Sequence, residues 1–388
     1  MNNKYMRIKE LSLILYLTSF LFPFIYPSSY SFIVKGQFLI LMPAVLFFHY
    51  NKGVMNNALV LLFAYTLVLT FLGLPGSVIG YVSSATLGLF MVKISMRGRG
   101  ANKVNVFKVS AFFYILLSGY LLYSADDPLL YGDYFGIASI NYAGLVTASF
   151  GIMYTTHLIQ YNFYYDDEGL ELACSSNIIL FLILCILLFM VFQFGSRTLI
   201  VTAPIIFIYL LSRMKIKILV AGVLCFAIMV INYIQEIYEI ILEIIVPGRS
   251  SLLDLYATEL AGDQERILAI AYVFESVLPS FGFCFGCSEK MSFSSLANLF
   301  AYSFPFSLMF LYLILKYCSV SVFSFFNYGG KMLLLNILLG MCFISSFVQT
   351  LMQPDFLSLS ALFYVVGVGL EVHKHRAKRE HNISEVSL

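Results

Sequence analysis

Twelve apolar stretches, most of them about as long as a bilayer is thick, divide this chain from one end to the other. A helix crosses the hydrocarbon core with about 20 apolar residues, and a barrel strand with about 9–11. In lipid every backbone polar group must be paired within the protein, which leaves helices and closed barrels as the spanning structures. These stretches are too long for barrel strands, so the expected fold is all-α: a polytopic membrane protein of about twelve transmembrane helices. The spans are placed at 11–27, 30–50, 57–74, 76–95, 106–124, 137–158, 176–195, 198–212, 215–235, 296–316, 332–351 and 355–371. With 60% hydrophobic and 11% charged residues, an ordinary soluble domain is excluded. The first run, 11–26, has no small-residue cleavage site and leads directly into a second span, so no cleavable signal peptide is expected. No internal repeat is visible, which weighs against transporters built from inverted repeats.

Lysine and arginine placement sets the orientation, because cytoplasmic loops carry the excess. With the N-terminus inside, only Lys35, Arg197, Arg249, Arg266 and Lys290 fall on the outer side, and the other 18 of the 23 basic residues fall inside. Both termini are therefore expected in the cytoplasm. The expected organisation is spans one to nine in 1–235, an outer loop in 236–295, spans ten to twelve in 296–371 and a cytoplasmic tail in 372–388. Residues Ser319 to Phe326 either extend span ten or form an interfacial segment.

Only one connection is long. Residues 236–295 carry nine acids and three bases, a net charge of −6. Glu236 to Val246 places Ile237, Ile240, Ile241 and Ile244 at helical spacing and reads as an amphipathic interfacial helix that Pro247-Gly248 ends. Asp263 can cap a second helix from about Gln264 to Val277, with Ile267, Ile270, Ala271 and Phe274 on one face. A long loop with secondary structure of its own is more often functional than a mere connector.

Arg197 lies in Gly195-Ser196-Arg197-Thr198, in the break between spans seven and eight. Two readings stand: a guanidinium snorkelling to headgroups, or a clamp on phosphoryl oxygens, which the planar fork grips in a bidentate way. Arg249 and Arg266, the other outer arginines, can converge with it on a pyrophosphate leaving group. Surface pairing with Glu259, Asp263 or Glu265 is the plain alternative for Arg266. Lys35 lies about five residues into span two, roughly 7.5 Å below its outer end, where snorkelling and a lipid-phosphate contact are both open. His49, His157, His373, His375 and His381 all fall at cytoplasmic positions. An outer general base must then be a carboxylate, with Glu259, Asp263, Glu265 and Glu275 nearest to Arg266; loop solvation is the default for each. Tyr256, Tyr272, Phe281 and Phe283 can cover sugar faces, with packing as their default. Asp126, Asp127 and Asp133 show no metal-specific spacing, and no cofactor is expected. Cys284 and Cys287 can close a small disulfide loop or remain free.

The Gly195-Ser196-Arg197 signature resembles that of the bacterial O-antigen polymerase (Wzy) and O-antigen ligase superfamily. The large outer loop is similar as well, with its arginine-led helix from Glu265-Arg266 and then Pro279, Phe281, Gly282 and Gly286. Family members often carry His-Asn before the late span that follows. Here the turn reads Ser294-Ser295-Leu296-Ala297-Asn298, with an asparagine and no histidine. The resemblance implies a metal-independent GT-C glycosyltransferase of the bacterial inner membrane. It would transfer a growing glycan from undecaprenyl pyrophosphate to the next lipid-linked repeat unit on the periplasmic face. Under this resemblance Arg197 and Arg266 stabilise the leaving group, and the base stays unassigned; the reading of the residues adds Glu259 and Asp263 as catalytic candidates, and Arg249, Lys35, Glu275, Asn298 and Tyr272 as substrate-binding candidates. The lipid-linked oligosaccharide, the bilayer and a chain-length regulator are the implied partners, with no nucleic acid. A lipid-linked oligosaccharide flippase is the main rival, and its mark is buried charge through a central cavity. An O-antigen ligase is the second, weakened by the missing histidine.

Overall fold

The computed structural model describes residues 81–82, 84–89, 91–92, 107–116, 140–164, 170–194, 197–213, 222, 268, 271, 275, 294–302, 306–327, 331–352 and 356–386. Among these residues every element is helical. In chain order they are α1 (Ile140–Tyr164), α2 (Leu170–Phe194), α3 (Arg197–Arg213), α4 (Ser295–Tyr302), α5 (Phe306–Asn327), α6 (Lys331–Met352) and α7 (Phe356–Val386). The described residues of 81–92, together with 107–116, add helical pieces inside expected spans four and five. Expected spans one to three and nine, and nearly all of the long loop, lie outside the described residues.

Three stretches are long and apolar enough to cross a membrane: Leu308–Phe326, Leu333–Leu351 and Leu357–Lys374. The chain is thus an all-α membrane protein. Its helices form because apolar runs in lipid must satisfy their backbone groups locally, and the runs end where charge or proline interrupts them. The residues of expected spans six, seven, eight, eleven and twelve are helical, as α1, α2, α3, α6 and α7, within a few residues at most ends, and of these α6 and α7 carry membrane-length apolar stretches. α3 continues through Pro204. α7 runs on to Val386, well past the expected span limit at 371.

Expected span ten differs. It is two helices, α4 and α5, with Pro305 in the sequence between them. Proline supplies no N–H to the helical ladder, and its ring disfavours helical backbone in the residue before it. α5 begins only at Phe306 and absorbs Ser319 to Phe326. Lys316, which the sequence places at the cytoplasmic end of a span, therefore sits halfway along a 22-residue helix.

Side-chain pairings fix how the helices run. Phe310 packs against Phe363 and Ser324 bonds His373, so α5 and α7 run the same way. Ser149 bonds Gln349, while Ile152 and Cys342 share one buried cluster, so α1 and α6 run oppositely. Thr202 meets Gln349 and Ser345, and Gly151 faces Ile206, which sets α3 parallel to α1. This alternation is the one the span order requires of neighbours threaded back and forth.

α7 is the centre: 78% of its apolar window is buried, against 28% for α5, which lies at the edge. Buried aromatics from several helices, among them Phe107, Tyr114, Phe150, Phe310 and Tyr364, fill the core around it. Small residues let backbones approach, as is usual where apolar burial gives no advantage over lipid. A Cβ at Gly88 would run into the carbonyl oxygen of Ser360 in α7.

Candidate functional site

Hydroxyls inside a membrane helix are usually satisfied by the preceding turn, and several here are. Thr86 donates to the Val82 carbonyl, Thr155 to that of Gly151 and Ser346 to that of Cys342. One group of polar side chains instead bonds between helices, at the end of the bundle where α3 begins and α6 ends.

Gln349 of α6 is its hub. The hydroxyl of Ser149 in α1 donates to Gln349 Oε1 at 3.2 Å, and Gln349 Nε2 donates to Thr202 Oγ1 of α3 at 3.0 Å. The Thr202 and Ser345 hydroxyls share a further bond at 3.2 Å. All four residues are buried, with at most 1% of their surface exposed. At the next residue of α6, the carbonyl of Thr350 receives hydroxyl bonds from Ser294 at 3.2 Å and Ser295 at 3.1 Å. That carbonyl belongs to the last four of α6, which have no partner within their own helix. Ser294 caps α4 as well: its hydroxyl accepts the N–H of Ala297 at 3.2 Å, and its carbonyl accepts that of Asn298 at 3.0 Å. The positive end of α4 thus closes the negative end of α6, an arrangement both macrodipoles favour.

Two of the residues expected at the site fall here. Arg197 is the first residue of α3, five positions before Thr202, a rise of about 7.5 Å along the helix. Asn298 is fully buried in α4, one turn beyond the capping serine. The structure joins their elements through α6, by Thr202–Gln349 on one side and Ser294–Thr350 on the other. Glu275 is exposed. Leu268, off the apolar stripe expected for the loop helix, is 67% exposed, whereas Ala271, on the stripe, is half-buried. Lys35, Arg249, Glu259, Asp263, Arg266 and Tyr272 lie outside the described residues.

His157 is buried in the core. It stacks on Phe107 at 3.9 Å and bonds Tyr364 through Nδ1 at 3.2 Å. It stands eight residues beyond Ser149 on α1, roughly 12 Å along the axis, too far to act as a base among these hydroxyls. Among the described residues no three His, Cys, Asp or Glu side chains come together as metal ligands.

Sequence reasoning missed Ser149, Thr202, Ser345, Gln349 and Thr350. Part of their signal was present as Ser345 and Gln349, one helical turn apart in a largely apolar span, with Thr350 next to them. Polar side chains at membrane depth face a partner or a cavity. Compared with known proteins, the chain matches no family model, no curated protein and no solved structure.

Proposed function

We propose that the chain polymerises lipid-linked glycan repeat units, using the α3 start as the seat of a pyrophosphate leaving group. The observation that carries this reading is the position of Arg197. Cations are favoured at helix C-termini and disfavoured at N-termini, yet this arginine opens α3. An anion seated there would remove the conflict, since the guanidinium and the free N–H groups of the first turn would both bind it. The network from Thr202 to Gln349, Ser149 and Ser345 holds the following turn of α3 against two other helices, which supports this reading with a fixed base for the helix start. A pyrophosphate already departs readily near neutral pH. Electrostatic stabilisation by Arg197 and Arg266, together with two membrane-held substrates in proximity, then supplies most of the required catalysis.

In this reading the site faces the periplasm of a bacterial inner membrane, with both termini in the cytoplasm. The acidic loop 236–295 provides the sugar contacts. A flippase reading asks for charge buried through the centre. Among the described residues the buried polar groups are hydroxyls, amides and His157, with no buried Asp, Glu, Lys or Arg.

The test is the surface-glycan ladder of a strain lacking the gene, complemented with wild type or with Arg197→Ala at matched expression. The expected result is collapse of the ladder to a single core-attached repeat unit, restored by wild type and not by Arg197→Ala. Loss of every repeat unit from the null strain would transfer the role to export or ligation. A normal ladder with Arg197→Ala would end the arginine mechanism.

A further inference from the structure

The opposite end of the bundle holds a second feature, unrelated to glycan chemistry. A cavity of about 560 Å³ opens between central α7, peripheral α5 and the helical residues of 81–92. Leu313 and Val320 of α5 and Leu89 and Val92 form apolar walls, and Gly367 lies in the wall that α7 contributes. Among the described residues its polar lining is Lys316, His373 and Lys374, with one acid, Glu371.

Lys316 is the unusual member. It lies within the Leu308–Phe326 span, about 15 Å from either end of α5. A charge at such depth is rare and generally has a function. Its ammonium rests 5.6 Å from the centre of the Tyr312 ring, a modest interaction for an exposed pair. Glu371 does not neutralise it, since no described carboxylate lies within ion-pair distance of Lys316. Away from the cavity α5 is apolar and open, with Leu315 59% exposed and Phe323 66%. In a bilayer those side chains meet acyl chains, so the lysine-bearing wall of α5 stands next to lipid.

We propose that this cavity binds one anionic glycerophospholipid of the surrounding bilayer. The phosphate sits between Lys316 and Lys374, and an acyl chain lies against Leu313 and Val320. Charge complementarity selects the headgroup: two lysines face one carboxylate, and the Ser324 hydroxyl holds the His373 ring by Nδ1 at 3.0 Å on the same wall. Basic pockets between membrane helices hold acidic lipids in this manner. The apolar walls account for the volume, which a phosphate alone would not fill.

The test uses the full chain, purified in detergent and titrated with phosphatidylglycerol or phosphatidylcholine, with bound lipid counted by native mass spectrometry. One phosphatidylglycerol is expected to remain bound where phosphatidylcholine is lost. The K316Q/K374Q variant is expected to bind phosphatidylglycerol at least about tenfold more weakly, while K316R retains it. Val320→Phe, which fills the cavity and leaves the charges alone, should also abolish retention. Each variant is first checked for an unchanged thermal transition, and K316R and Val320→Phe carry the test if the double variant does not fold. Equal retention of both lipids, or undiminished binding by the folded variants, would overturn the proposal. Displacement of the lipid by millimolar inorganic phosphate would do so as well, because it would show a phosphate site without a role for the acyl chain. None of these readings depends on glycan synthesis.

Discussion

At the scale of single residues, Gln349 ties three helices together, and the proposed function puts the chemistry on Arg197. Gln349 makes two interhelical bonds in an apolar surround. Such bonds average about 0.6 kcal/mol in membrane proteins, so Gln349→Leu is expected to cost about 1 kcal/mol. Ser149→Ala, which removes one bond, is expected to cost about half as much. Thermal unfolding of the purified protein measures both, and equal transitions would show that the network is not structural. For Arg197 the readout is rate: under the proposed function, Arg197→Ala should slow polymerisation by about 100-fold or more. Arg197→Lys should fall between, because an ammonium keeps the charge and loses the two-pronged grip. Arg197 was legible in the sequence, since a charge in a Gly-Ser break between apolar runs stands out by itself. Gln349 was not, because its partners are 147 and 200 residues away and only the folded bundle brings them together.

At the scale of elements, the sequence disclosed helices well and their interruptions poorly. The span expected at 332–351 and the helix Lys331–Met352 agree because length and apolarity act along one dimension. The division of α4 from α5 was missed because both halves are apolar, and hydropathy alone does not weigh one proline. The junction that results is testable: Ser294→Ala removes a cap and one bond to Thr350, and should cost about 1 kcal/mol. Glycine substitutions separate tight from loose packing. Gly88→Ala presses a methyl into backbone of α7 and should cost about 1–3 kcal/mol. At Gly340 nothing lies within 4 Å of the added methyl, so Gly340→Ala should be neutral or stabilise by up to about 1 kcal/mol. A similar loss in both variants would contradict the packing described for α7.

At the scale of the whole molecule, charge placement makes the orientation an experimental matter. A fluorescent protein fused after Leu388 should glow in the cytoplasm, and alkaline phosphatase inserted at exposed Leu268 should be active outside it; the opposite pair of results would invert the chain. The alternating helix directions follow from side-chain pairings alone, and they accord with a threaded path whichever face is outermost. The sealing of α4 onto α6 also bears on how the protein is made. At eight residues, α4 spans about 12 Å and cannot cross a bilayer by itself. The acceptor that anchors its first turn is synthesised 55 residues later. At about 5–20 residues per second, the ribosome takes roughly 3–11 s to deliver it. Through that interval the first turn of α4 lacks this acceptor, so its bond to the bundle forms only after α6 has been made.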